Sequence, residues 1–417
     1  MLVTVRLHHK GVVLREKKKG SLLGSKMYRI KAGDFILSGI DARNGAFGIV
    51  PYELDGAIVT SDFWYFDIGE TRVKRDFFYW LTTTPLFLEA CQKSSKGETQ
   101  RIRLQKNLFY NFEFHFPQIE QQEIFLLRFR KIEKLLTGLS IETEEQLSLI
   151  KQLRQTVLQE AVQGKLTSSW RKQHPELISG ENHASRLLEK IKAEKALRQA
   201  QGKKRKEKPL PPVSEDEKPF DLPEGWVWCR LGEIASHNSG KTLDKGRNKG
   251  QPRKYITTSN LHWGYFILDD LREMLIKDDE LERCTASKGG LLVCEGGEAG
   301  RASVWDKDYD ICFQNHIHRI RTFQKINTYY LYRYFQKINL SGEIKRYRKG
   351  MGISNLSGKS LSSIIIPLPP LAEQQAIVEK VDRLMAKIDA LEVQVKERKT
   401  QADQLMQAVL REAFNGS

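Results

Sequence analysis

The chain has 417 residues, 40 % of them hydrophobic, and 68 Lys and Arg against 52 Asp and Glu give a formal charge of +16. That length holds two or three domains with cores of their own, the apolar share excludes a disordered chain, and the cationic surplus points to a polyanion, nucleic acid before an acidic membrane surface. No apolar run approaches the roughly 20 residues that span a bilayer, the opening Met1-Leu2-Val3-Thr4-Val5-Arg6 is no secretion signal, and Cys91, Cys229, Cys284, Cys294 and Cys312 form no CxxC pair, which reads as buried thiols in a reducing cytoplasm.

Residues 1–118 alternate short β-rich runs with glycines and carry a helix over 77–90, the pattern of a mixed α/β domain. Phe116-Pro117 then opens a helix over 119–166, in which Phe129, Ile132, Leu136, Leu139, Ile150, Leu153 and Val157 step by 3 and 4, broken at Thr143 and Gln146. Residues 167–221 hold a charged helix over 184–201, then Lys203-Lys204-Arg205-Lys206, Lys208 and Pro209-Leu210-Pro211-Pro212, which read as a flexible linker. Residues 222–370 form a second mixed domain with a helix over 328–335. Residues 371–417 carry a second heptad of Val381, Leu384, Ile388, Leu391, Val395, Ala402, Leu405 and Val409, with Arg398 at its polar position. A helix of about 45 residues is roughly 65–70 Å long at 1.5 Å per residue, and two such stripes predict helices that pair with each other.

The chain also repeats itself. Glu120-Gln121-Gln122 recurs 253 residues later as Glu373-Gln374-Gln375, each copy following a proline, and the segments end alike in Glu160-Ala161-Val162-Gln163-Gly164 and Glu412-Ala413-Phe414-Asn415-Gly416. Upstream, Lys96-Gly97 matches Lys349-Gly350, residues 55–59 match 308–312, and 31–37 resemble 287–293, while the heptads match at 252. Such self-similarity is an internal duplication, and a duplicated basic chain reads as two arms on one long partner. A strand is expected before each proline turn. The second copy begins near Leu222-Pro223-Glu224-Gly225-Trp226, about thirty residues ahead of the point matched by Met1. The first domain is therefore expected to lack its opening strands, or to have them completed by another segment.

Cations beside glycines are the candidate nucleic-acid contacts. Lys241, Lys245, Arg247, Lys249, Arg253 and Lys254 crowd a Gly-rich stretch over 240–250, and Lys345, Arg346, Arg348 and Lys349 precede Gly350. The equivalent stretch of the first copy holds Lys93, Lys96, Gln100, Arg101 and Arg103, with Arg15, Lys17, Lys18, Lys19 and Arg43 as weaker candidates. Lysine positions a backbone through its phosphates, whereas arginine also pairs bidentately with guanine.

Catalytic motifs are not found. There is no Asn/Asp-Pro-Pro-aromatic loop to hold a flipped base. Ser239-Gly240-Lys241-Thr242 ends like a phosphate loop but has Ala235 where the first glycine belongs, and Gly296-Gly297 with Gly300 reads as a tight strand connection. Glu343-Ile344-Lys345 has no Pro-Asp partner, and His8, His9, His262, His316 and His318 show no metal-ligand spacing, so neither a catalytic nor a metal site is expected.

Leu222-Pro223-Glu224-Gly225-Trp226-Val227-Trp228 with Leu231-Gly232-Glu233-Ile234, the run Ile366-Pro367-Leu368-Pro369-Pro370-Leu371-Ala372-Glu373-Gln374-Gln375, and Ala161-Val162-Gln163-Gly164-Lys165-Leu166-Thr167 with Trp170-Arg171 occur in one order. In this combination the chain resembles the specificity (S) subunit of Type I restriction–modification enzymes. The resemblance implies an α+β fold of two mixed α/β target-recognition domains separated by two long antiparallel coiled-coil helices. Each domain would read one half of a split site in double-stranded DNA. The helices would dock two methyltransferase (M) subunits, with Gln121, Gln122, Gln374, Gln375, Ile132, Leu136, Leu384 and Ile388 as the docking and spacer residues, and restriction (R) subunits would join that core. S-adenosylmethionine, and ATP with Mg for restriction, would sit in those partners and none in this chain. A Leu-Pro-x-Gly-Trp-like opening to the first domain, which the family would carry, is absent from residues 1–118. The rival readings are a self-contained nuclease with duplicated binding domains, and a coiled-coil interaction protein whose charge serves RNA or an acidic partner.

Overall fold

The computed structural model describes residues 1–17, 26–97, 102–200, 209–244, 246–350 and 355–415. The chain falls into two compact units, Met1–Gln146 with Gln394–Ser417, and Leu147–Val393.

In the first unit a mixed four-stranded sheet runs Val12–Glu16, Leu2–Val5, Ile58–Val59, Tyr28–Arg29. Leu2–Val5 is antiparallel to Val12–Glu16 and parallel to Ile58–Val59, which Tyr28–Arg29 meets antiparallel. Beside it, Phe35–Ser38 lies between Phe47–Ile49 and Phe63–Phe66, and all four of its residues are buried. An aromatic core closes over this sheet: Phe87 meets Phe35 and Phe47 edge-on at 5.7 and 5.0 Å, the offset that ring quadrupoles favour. The single helix expected over 77–90 is in fact two, Arg75–Thr82 and Pro85–Lys93. Pro85 forces the break, because the residue before a proline avoids the helical region and Thr84 sits at φ −81°, ψ 156°.

The second unit repeats that sheet strand for strand. Arg272–Ile276, Gln251–Ile256, Ile311–Phe313 and Thr285–Ala286 stand in the same order, with the same antiparallel, parallel and antiparallel pairings. The other sheet also recurs as Ala302–Val304, Leu291–Cys294 and Ile317–Thr322, with one addition, the strand Ala235–Ser239 on the far side of Ile317–Thr322. Its place beside Phe63–Phe66 in the first unit holds no strand among the described residues. The same asymmetry corrects the expectation of a strand before each proline turn. Ile365–Leu368 is a strand because Val227–Arg230 pairs with it antiparallel. Residues 111–117 are not, and no strand matching Val227–Arg230 stands among the described residues of 1–118. The helix expected over 328–335 extends to Leu340, started by Asn327, whose side chain accepts from the backbone N–H groups of Tyr329 and Tyr330.

Two long helices, Ile119–Val162 and Leu371–Asn415, contribute to both units. Within the first unit Leu126 and Phe129 share a core with Met406 and Leu410, while Glu144 bonds Lys399 at 3.1 Å, so the helices run antiparallel. Within the second, Arg154 reaches Glu392 at 2.7 Å and also pairs with Asp389. Most heptad positions are buried or half-buried, but Leu153, Leu391 and Leu405 are exposed, and Thr143, read as a break, is buried with its hydroxyl donating to the Ser140 carbonyl at 2.9 Å. An α-helix of 3.6 residues per turn drifts away from a strict seven-residue repeat unless it supercoils, and these positions have left the seam. The first helix ends at Gly164, whose φ of +68° only glycine adopts at no cost, and where a Cβ would lie 2.7 Å from Pro223.

Each helix is locked to its unit by one buried glutamine. Gln122 donates through Nε2 to the Pro117 carbonyl at 2.7 Å and the Arg72 carbonyl at 2.9 Å, and its Oε1 accepts from the Lys74 backbone N–H at 2.8 Å. Gln374 donates to the Pro369 carbonyl at 2.9 Å and accepts from the Asn327 N–H at 2.9 Å. Lys74 and Asn327 both precede the first residue of a domain helix, so the two bonds are the same device. The true equivalents are 252 apart, one less than the spacing of the identical letters. Under that register Gln121 matches Glu373. Gln121 is exposed, whereas Glu373 is fully buried, accepting from Trp226 Nε1 at 2.7 Å and Thr167 Oγ1 at 2.6 Å and pairing with Arg171.

The segment read as a linker is partly built into the second unit. After Ser168–Gln173 and the helix Ala184–Ala200, buried Arg230 donates to the carbonyls of Pro211 at 2.7 Å and Pro212 at 3.2 Å, and pairs with Glu217 at 2.7 Å. With a further bond from Nη1 to the Ser363 carbonyl at 3.1 Å, these guanidinium donors fix the proline run. The lysine cluster from 203 to 208 lies outside the described residues.

Removing the Glu373 carboxylate leaves Arg171 and the Trp226 indole without their buried acceptor. Glu373→Ala is expected to cost about 3–5 kcal/mol, read as a lowered urea midpoint, whereas Gln121→Ala at the exposed equivalent is expected to stay within about 0.5 kcal/mol.

Candidate nucleic-acid interface

Gln251–Ile256 is half outside the core: Tyr255 and Ile256 are buried, whereas Arg253 and Lys254 are exposed. Those two cations, with Arg321 from the neighbouring sheet, line a cavity of about 650 Å³ that Glu282, Asp310 and Cys312 also face. Arg253 is 3.3 Å from Asp278, and Arg321 is 3.9 Å from Glu282. Exposed pairs of this kind hold a cation loosely. Beneath them Arg319 is 1 % exposed, donating through Nη2 to the Glu282 carbonyl at 2.8 Å while its Nε and Nη1 have no partner among the described residues. Burial pushes its pKa down to about 10. Sequence reading passed over Arg319 and Arg321. The signal was the alternation in Ile317-His318-Arg319-Ile320-Arg321, where a cation recurs at every second residue of a strand.

The Gly-rich stretch before that strand is pinned at both ends. A Cβ at Gly240 would stand 2.0 Å from the Phe313 carbonyl oxygen and one at Gly250 2.2 Å from that of Ile276, so only glycine lets the backbones approach so closely. Lys241, whose backbone bonds those of Phe313 and Asn315, points inward. Its ammonium is half-buried in an ion pair with Glu280, which holds that carboxyl below its ordinary pKa. This takes Lys241 out of the set of free cations. Arg247 is 91 % exposed, with Asp244 no closer than 3.7 Å, and Lys249 is exposed without an ion pair among the described residues. Lys245 lies outside those residues.

The second cluster begins within the turn Glu343–Tyr347, which Gly342 enters at φ +78°. Lys345, Arg346 and Lys349 are exposed. Arg348 is half-buried, donates to Asn339 Oδ1 at 3.1 Å, and has its pKa lowered by burial, so it braces the turn from within. Lys349 and Asn355 exchange two backbone hydrogen bonds of 2.9 Å, with Gly350 at φ +104°. In the first unit Lys96 and Arg103 stand opposite each other on a two-stranded ladder, with Gly97 at φ +141°. Both copies thus present a short hairpin with a cation on its rim. Lys96 is exposed, and Arg103 is paired with Asp62 at 2.7 Å. Arg101, Gln100, Lys18 and Lys19 lie outside the described residues. Arg43 is half-buried in the turn Ala42–Asn44 with no ion pair among the described residues.

Of the docking residues, Gln122 and Gln374 are buried in the clamps described above, which leaves neither a surface to offer a partner. Gln121 and Gln375 are exposed, Ile132, Leu136 and Leu384 are half-buried, and Ile388 is buried in the seam. The first helix exposes Ile124, Leu127, Leu135 and Ile141 in the first unit and Leu149 with Leu153 in the second. The heptad had no position for five of these six. Among the described residues no group of three or more His, Cys, Asp or Glu is placed to hold a metal, and no helix is long and apolar enough to cross a membrane.

Residues 223–398 match the family described as Type I restriction modification DNA specificity domain. The Type I restriction enzyme EcoAI specificity subunit of Escherichia coli is 24 % identical over 385 residues, covering 80 % of this chain and 63 % of that one. The EcoEI specificity subunit of Escherichia coli is 29 % identical over 63 % of this chain and 45 % of its own length, and the EcoKI specificity subunit of strain K12 is 37 % identical over 47 % and 44 %. This chain therefore spans less than two thirds of the length of these relatives. Among solved structures, a chain from a study of complex assembly and conformational transition in the type I R-M system superposes with a TM-score of 0.70 at 19 % identity, covering 97 % of this chain and 86 % of that one. The HsdS subunit from Thermoanaerobacter tengcongensis gives 0.55 at 19 % identity, over 93 % and 82 %. At such identity these two matches establish the fold: two mixed helix-and-sheet domains with long antiparallel helices.

Because Lys241 holds the Glu280 carboxyl low, the pair stabilises the fold above the ordinary glutamate range, and that gain is lost as pH falls through the lowered value. Lys241→Met is expected to lower the urea midpoint at neutral pH, and the gap to the parent chain is expected to close on the acid side.

Proposed function

We propose that this chain is a member of the Type I restriction–modification specificity family, the sequence-specific DNA-binding subunit of such a complex, and that it performs no catalysis of its own. The observation that carries this reading is the doubled mixed sheet, present in each unit and followed later in the chain by a cation-bearing antiparallel pairing. A target in two parts, one per unit, is the partner that such a duplication fits. Lys96, Lys249, Lys254, Arg346 and Lys349 are the exposed cations that would track phosphates, whereas Arg247, Arg253 and Arg103, each loosely held by a carboxylate, would exchange that partner for a phosphate or a guanine edge.

The exposed apolar residues of the first long helix support docking of two methyltransferase subunits, since apolar side chains arrayed along a helix face fit a partner's groove. Those subunits would bring S-adenosylmethionine, and restriction subunits would bring ATP and Mg. In this reading the 44-residue helix serves as a rigid element between binding events.

Purified with its methyltransferase subunits, the chain is expected to direct adenine methylation to a bipartite site, and alone to transfer no methyl group. Arg346→Ala combined with Lys349→Ala is expected to weaken duplex binding and to reduce the slope of log K against log salt by about 1.8, roughly 0.9 per lost phosphate contact. An unchanged slope would remove this hairpin from the interface.

A further inference from the structure

The cavity beside Gln251–Ile256 has a chemistry that DNA binding does not use. Cys312, at the centre of the strand Ile311–Phe313, lines it, and Cys284 ends the helix Asp278–Cys284 immediately before the strand Thr285–Ala286. Thr285 lies directly across the antiparallel ladder from Cys312. Cys284 is one residue from that cross-strand partner, which puts the two Cα atoms about 5–6.5 Å apart, inside the window a disulfide needs. Strand alternation alone would turn Cys284 to the opposite face. Its helical backbone cancels that alternation, and both cysteines pack in one core cluster with Tyr255, Met274 and Ile276.

The surroundings favour a thiolate. Thr285 Oγ1 stands 3.6 Å from Cys312 Sγ. The Cys284 thiol is the main influence that lowers the Cys312 pKa, with the Thr285 hydroxyl and the Arg253 guanidinium adding to it, whereas Cys284 itself is pushed up by the same contact and by burial. Arg319, two of whose guanidinium nitrogens have no partner among the described residues, places a buried cation within electrostatic reach of Cys284, the other thiol of the pair. Cys91, Cys229 and Cys294 are buried with raised pKa values and line no part of this cavity.

We propose that Cys312 and Cys284 are a peroxide-reactive thiol pair, which a hydroperoxide entering this cavity converts to a disulfide. The Cys312 thiolate attacks the distal oxygen, the O–O bond breaks, and the leaving alkoxide or hydroxide takes up a proton. Cys312 is then a sulfenic acid. The Cys284 sulfur, losing its proton, displaces that oxygen as water and closes the S–S bond. Two thiols and one hydroperoxide thus give a disulfide, an alcohol (or water) and water. The cross-link would staple the end of the helix that carries Asp278 and Glu280, the partners of Arg253 and Lys241.

The test treats the full chain with hydrogen peroxide and maps cysteines by non-reducing mass spectrometry, a readout that does not involve DNA. A Cys284–Cys312 disulfide is expected, reversed by dithiothreitol, with Cys312 alkylated by iodoacetamide at neutral pH about tenfold faster than Cys91, Cys229 or Cys294. In Cys284→Ser the sulfenic acid at Cys312 is expected to persist and be trapped by dimedone, whereas Cys312→Ser should leave Cys284 unmodified. Should peroxide leave Cys312 a free thiol, or oxidise the cysteines without preference, the proposal is overturned. Unchanged circular dichroism of both variants ties the result to the thiols rather than to misfolding.

Discussion

A buried carboxamide at the fourth residue of each long helix is the constraint on which the architecture depends. Glutamine carries two donors and an acceptor on one rigid plane, and out of water every one of them must find a partner or cost about 1–3 kcal/mol. Gln122 and Gln374 meet this demand by reaching back to a proline carbonyl on one side and out to the start of a domain helix on the other. The proline turn, the long helix and the first turn of the domain helix are thereby held at one angle in each unit. Hydrophobic contact alone would bring these elements together without fixing that angle, because it has no direction.

Around this shared joint the two units differ in how much polar chemistry surrounds it. The second adds Glu373, whose carboxylate gathers an indole, a hydroxyl and a guanidinium from residues 167–226, and it adds the strands Val227–Arg230 and Ala235–Ser239. Among the described residues, the first has an exposed glutamine in the same place and a sheet with one strand fewer. The duplication is thus one design carried out with two different sets of supporting residues, and the surplus lies wholly on the side where the segment between the repeats is available to supply it.

Much of this was legible in the residues. Matching segments foretold matching strands: 55–59 beside 308–312 became Ile58–Val59 and Ile311–Phe313, each parallel to the central strand of its sheet. Both long helices stood where the heptads put them. What composition and spacing could not show was which cations are committed. Lys241 looked as free as Lys249, yet its ammonium is paired with Glu280, and Arg230 carried no sign that prolines eighteen and nineteen residues upstream would take its donors. Such pairings join residues far apart in the chain, and local pattern has no access to them. The break at Pro85 was legible, since the preference of its predecessor is local, and the apolar periodicity around it hid it. The family resemblance supplied the functional reading, and the geometry added which of the named residues have a free face.

The one-residue difference between the repeated letters and the repeated joint has a consequence for anyone splicing the two halves. A chimaera joined by superposing Glu-Gln-Gln on Glu-Gln-Gln would carry every later residue of the helix forward by a single position. Each position is 100° around the axis, so the apolar stripe would swing from its neighbour toward solvent along the whole remaining length. A crossover that instead keeps the interval from proline to carboxamide preserves the phase, although fewer letters agree.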